Sequence, residues 1–68
     1  MPTYLYWRHK KTGDIYAVRV SDVGVLDGAA GPIPPNETTL ARLPHWEFNP
    51  REGARMRERL LEFERVKT

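Results

Sequence analysis

The stretch YLYWRHKKTGDIYAVRV, residues 4–20, does most to limit how this chain can fold. Leu5, Trp7 and His9 alternate with Tyr4, Tyr6, Arg8 and Lys10, and Ile15–Val20 alternates in the same way. A period of two sends neighbouring side chains to opposite faces, which is the pattern of a strand with two unlike sides. Between the runs, Lys11-Thr12-Gly13-Asp14 is turn chemistry: Gly13 tolerates a positive φ and Asp14 bonds nearby backbone groups. The segment therefore predicts a β-hairpin. Pairing Lys10 with Ile15 sets Leu5 opposite Val20, Trp7 opposite Val18 and His9 opposite Tyr16, all on one apolar face. A three-residue loop with a glycine bulge would instead set Trp7 opposite Ala17 and Leu5 opposite Arg19. That register mixes charge into the core and is disfavoured. The reading turns Trp7 inward and leaves Tyr4, Tyr6, Arg8, Lys10, Ala17 and Arg19 on a solvated face.

Downstream, Val23, Val25 and Leu26 in SDVGVLDG predict a short third strand leading into a turn at Asp27-Gly28. AAGPIPPNE follows, where Pro32, Pro34 and Pro35 deny backbone donors, so no regular element is expected to cross it. Pro32 and Pro35 have the spacing of a polyproline ligand, but no cation flanks them, and a packed surface loop is the better reading. Asn36 can cap one helical turn that Pro44 stops, with Leu40 and Leu43 inward. Trp46 and Phe48 are expected to supply the second half of the core.

Asn49, Pro50 and Glu52 form the clearest local signal: an N-cap, a proline at the first helical position, and an acid able to reach back to the cap. A helix is predicted from Pro50 to about Phe63, with Met56, Leu60 and Phe63 on its buried stripe and Ala54 and Leu61 beside it. Arg51, Arg55 and Arg59 interleave with Glu58 and Glu62, which makes a neutralised, salt-bridged face. The tail EFERVKT either continues that helix or forms a final strand anchored by Phe63 and Val66, and a sheet edge in need of cover favours the strand. The expected fold is α+β, one domain over 1–68, in which a small antiparallel sheet packs on one C-terminal helix.

A chain of 68 residues hides only roughly 60% of its unfolded surface. With no cysteine, it has no disulfide, no thiolate metal ligand and no thiol nucleophile. That usage suits a reducing cytoplasm. The longest apolar runs fall far short of the ~20 residues of a membrane helix, and no signal-peptide pattern opens the sequence. Cations outnumber acids by eleven to nine, a weak argument for nucleic acid. Residues 1–21 carry four cations and one acid, residues 22–50 one and four, and residues 51–68 six and four, so the two ends are basic and the middle acidic.

His9 and His45 lie far apart and outside any ligand spacing, so no metal and no cofactor is expected. The types needed to cleave RNA (histidine, carboxylate, arginine) exist in His9, Glu47 and Arg8, but His9 falls on the apolar face, where structural histidines are commoner. The sequence points to a non-catalytic binding or regulatory module that contacts a protein partner or a second copy of itself. Its expected contact set is Tyr4, Tyr6, Arg8, Lys10 and Arg19. The alternative is nucleic-acid binding, with tyrosines stacking on bases and cations meeting phosphates. No membrane partner is expected.

Overall fold

The computed structural model describes residues 1–67. Strands β1 (Thr3–His9), β2 (Ile15–Val20), β3 (Leu26–Ile33) and β4 (Phe63–Arg65) form one antiparallel sheet in the order β3-β2-β1-β4. One helix, α1 (Pro50–Arg57), packs on the sheet, and 3-10 helices span Pro35–Glu37, Leu40–His45 and Leu60–Glu62. The α+β class follows, with the tail resolved as a strand.

The hairpin forms in a register two residues away from the expected one. Leu5 lies opposite Val18, Trp7 opposite Tyr16 and Arg8 opposite Ile15. His9 donates its backbone N–H to Asp14 at 2.8 Å, and Gly13 closes the loop onto the His9 carbonyl at 2.9 Å with φ of 78°. The loop is selected by its own bonds: His9 Nδ1 accepts the N–H groups of Lys11 and Thr12 at 3.3 Å each, and Thr12 Oγ1 accepts from Asp14 at 3.2 Å. A slip of two keeps every side chain on its expected face, so Leu5, Trp7, His9, Tyr16 and Val18 share one side.

The third strand begins later than its valines suggest. Ser21 and Val25 close a tight loop through Ser21 N–H to Val25 O at 2.8 Å and Val25 N–H to Ser21 Oγ at 3.2 Å. Val23 therefore sits in solvent, 85% exposed, and Asp27-Gly28 is strand rather than turn. Asp27 instead accepts from Arg19 Nε across the sheet at 2.8 Å. β3 also runs through Pro32, contrary to expectation. Between the Ala17–Ala30 and Ile15–Ile33 pairs β3 holds one residue more than β2, and an edge strand tolerates proline at such a bulge.

Both faces of the sheet are covered, where one solvated face was expected. On one side Val18, Leu26, Ala29 and Met56 form a core with Leu5, Trp7, Tyr16 and Phe63 around it. On the other side Tyr6, Ala17, Ala30, Ile33 and Leu43 are buried together, with Tyr4, Ile15, Trp46, Phe48 and Val66 packed against them. The layer over this second face is residues 34–48. Within it Leu43 turns inward as expected, whereas Leu40 is largely exposed.

Helix α1 starts where the sequence places it: Asn49 Oδ1 accepts from Arg51 N–H at 2.8 Å. Glu52 does not reach back to the cap, because the Asn49 N–H is already donated to Ala29 O at 2.8 Å, and Glu52 pairs with Arg55 instead. The helix ends at Arg57, short of the expected Phe63. Leaving the helix lets Phe63 reach the sheet, where its ring meets His9 of β1 at 5.0 Å edge-on and Tyr16 of β2 at 5.9 Å. The early end takes Leu60 off the buried stripe and moves Glu58 and Glu62 out of the expected arginine ladder.

Candidate functional site

The sequence-derived contact set does not form one open surface. Tyr6 is 1% exposed. Its hydroxyl donates to Thr39 O at 2.7 Å and accepts from Trp46 Nε1 at 3.2 Å, which is how a phenol can enter a core without losing its hydrogen bonds. Tyr4 is half-buried, tilted against Phe48 at 5.3 Å between ring centres. Arg8 pairs with Glu64 on β4, its directly opposite residue. Arg19 pairs with Asp27 and lies 5.6 Å over the Phe48 ring. Lys10 is exposed and donates to the Leu61 carbonyl at 3.0 Å. The stacking platform expected from Tyr4 and Tyr6 is therefore lined by the chain's own residues 34–48.

The types considered for RNA cleavage do not converge either. Arg8 and His9 are strand neighbours and leave opposite faces. His9 Nδ1 is occupied as an acceptor, so the ring proton sits on Nε2, which faces Glu62 Oε1 at 3.0 Å. Beside this pair lies a cavity of about 240 Å³ lined by His9, Asp14, Tyr16, Glu52, Arg59 and Phe63, among others. Burial, then the carboxylates of Asp14 and Glu52, hold the Tyr16 phenol above its ordinary range, so it offers a hydrogen-bond donor rather than a base. No group of three or more potential metal ligands occurs among the described residues.

Besides Val23, Val25 and Leu40, which are exposed elsewhere, open surface lies at the hairpin-loop end of the sheet and along β4. Leu60 is 46% and Leu61 91% exposed, immediately before β4. Lys10 N–H donates to Glu62 O and Val66 N–H to Tyr6 O, both at 2.9 Å, so the even-numbered residues of this segment face β1. The backbone groups of Phe63 and Arg65 then face outward, since hydrogen-bonding direction alternates along a strand. Phe63 N–H turns back to Leu60 O, which leaves the Phe63 carbonyl and both Arg65 backbone groups on the rim. The opposite edge is bridged at its middle: Ala29 and Asn49 exchange two backbone bonds, of 3.2 and 2.8 Å, and α1 lies directly on Gly28.

Sequence reasoning missed Leu60, Leu61 and Arg65. The usable signal was the alternative reading of the tail, because a strand at the end of the chain that pairs on one side only leaves an edge. Among the described residues no helix is long and apolar enough to cross a membrane. Set against protein-family models, curated proteins and solved structures, the chain matches none of them.

Proposed function

We propose that this chain is a non-catalytic binding module whose partner is another protein, and that it works in the cytoplasm. The carrying observation is the pair of exposed leucines, Leu60 and Leu61, set beside an unpaired strand edge in a chain whose other large side chains mostly serve two small cores. Apolar side chains next to unsatisfied backbone groups are what a protein surface needs to hold a partner. The enclosure of Tyr6 and the pairing of Arg8 and Arg19 with acids favour this reading over the sheet-face version of nucleic-acid binding. A cytoplasmic setting agrees with the absence of cysteine.

The test is photo-crosslinking in cells with a benzophenone side chain at position 61 or, as a control, at position 23. Val23 is nearly as exposed and lies at the opposite end of the sheet. A discrete protein adduct from position 61 and none from position 23 is the expected result. No adduct at 61, or the same adducts from both positions, overturns the proposal.

A further inference from the structure

The two edges of the sheet are treated differently, and the difference specifies a partner. On β3, Asn49 bridges Ala29, the helix covers Gly28, and Pro32 has no N–H to offer. On β4 the Phe63 N–H is taken by Leu60 O, but among the described residues no strand pairs on its outer side, and the sheet order ends there. We propose that the outer edge of β4 accepts an extended, acidic segment of a partner protein as a fifth strand, with Leu60 and Leu61 packing on the partner beside it. This inference rests on the binding-module reading and names its partner chemistry.

Charge selects the acid. Glu64 is engaged by Arg8 and Glu62 by His9, whereas Arg65 and Lys67 are exposed and enter no ion pair among the described residues. Glu62, hydrogen-bonded to a neutral His9, keeps its charge, so the edge presents two unpaired cations, Arg65 and Lys67, against one carboxylate beside its free backbone groups. An incoming strand with Glu or Asp opposite Arg65 gains a favourable cross-strand pair, and a lysine there is repelled. The same charges turn away a second copy of the chain. A two-fold antiparallel pairing centred on Phe63 sets Glu62 opposite Glu64, and one centred on Glu64 sets that residue opposite itself. Centring on Arg65 opposes two arginines, and centring on Val66 opposes Arg65 to Lys67. Each such register places like charges across the ladder, which destabilises it.

The experiment titrates the full chain with a short, end-blocked peptide alternating Glu with Val, followed by NMR of the backbone amides into the millimolar range. Saturable shifts centred on residues 63–65, with slowed exchange of the Arg65 N–H, are expected. A peptide with Lys in place of Glu, and one N-methylated at alternate backbone positions, should give neither. Arg65→Pro removes the outward donor while leaving the bonds to β1 in place, because that N–H does not face β1. It should abolish the saturable shifts, whereas Arg65→Thr, which keeps the donor, should weaken binding several-fold and reduce its salt dependence. The inference is overturned if the acidic peptide fails to saturate, if the N-methylated peptide binds the wild-type chain equally well, or if the protected amides lie on β3. Should the peptide fail while position 61 still crosslinks a protein, strand addition falls and the module reading stands.

Discussion

Replacing Gly53 with alanine should destabilise the protein, although the same change in an exposed helix does the opposite. In isolation alanine is better than glycine in a helix by about 1 kcal/mol. Here a Cβ at position 53 would stand 2.6 Å from Gly28 N, 2.8 Å from Gly28 Cα and 3.0 Å from the Asp27 carbonyl carbon. All three obstacles are backbone of β3, held by its pairing with β2, so no rotamer change relieves them. Ordinary contact begins near 3.4 Å, so α1 must retreat by 3.4 − 2.6 = 0.8 Å. A gap of that order forfeits a quarter to a half of each dispersion contact across the interface. Those contacts belong to Met56, Leu26 and Ala29, the core of this face. Overpacking against rigid neighbours costs ~2–3 kcal/mol, and the propensity gain offsets ~1 of it, which leaves a net loss of ~1–2 kcal/mol. For a domain of this size that lowers the melting temperature by about 4–16 °C. Thermal unfolding followed by circular dichroism reads the shift. Amide exchange at Ala29 and Asn49 should quicken as well, because their bridge immediately precedes α1. An unchanged or raised melting temperature would refute the close approach of α1 to β3.

Two further perturbations test the remaining packing. Tyr6→Phe strips the Thr39 carbonyl and the Trp46 N–H of a buried partner, at a cost of about 1–3 kcal/mol, and a shift in Trp46 fluorescence should accompany it. A neutral Tyr6→Phe would mean that the hydroxyl does not hold residues 34–48 in place. Tyr16, whose folded pKa lies above its ordinary value near 10, contributes stability that is complete below that value and is lost as pH rises through the folded pKa. Urea midpoints measured from about pH 9 upward should thus fall more steeply for the wild type than for Tyr16→Phe, and parallel curves would contradict the assignment.

Local signals were legible where they were self-contained. Asn49-Pro50 starts α1 because the cap bond to Arg51 and the proline geometry need no distant residue. Parity along β1 and β2 assigned the faces, but it cannot distinguish two registers that differ by two residues, since both put the same side chains on the same side. What chose between them was the His9 ring accepting two loop N–H groups, a contact visible only once the loop exists. Asp27-Gly28 has turn composition, yet both residues serve the strand: Asp27 meets Arg19, and Gly28 leaves room for Gly53 and for Phe48, whose Cβ would lie 3.0 Å from a Cβ at 28. The helix ended early because burying Phe63 among three rings outweighs nearly two more turns. The largest misreading, a wet Tyr6, came from treating a phenol between two cationic positions as surface, when carbonyl and indole partners more than thirty residues away satisfy it.

That misreading also bears on what the chain can recognise. The sequence holds two Trp, three Tyr and two Phe, and every one is buried or half-buried against the two cores, which leaves little aromatic surface for a partner. To the partner proposed above, the β4 end of the sheet offers backbone groups, two leucines and a few cations. Two or three backbone hydrogen bonds bring about 1 kcal/mol each, while association costs at least ~4 kcal/mol in lost freedom. Strand addition along three residues therefore sets direction and register but cannot hold a partner by itself. Burying a leucine side chain fully adds about 1.5–3 kcal/mol, so Leu60 and Leu61 are the larger source of affinity and the β4 edge the larger source of specificity. A partner that offered only an acidic strand would leave again quickly; one that also offers an apolar pocket a few residues along that strand matches everything this surface presents.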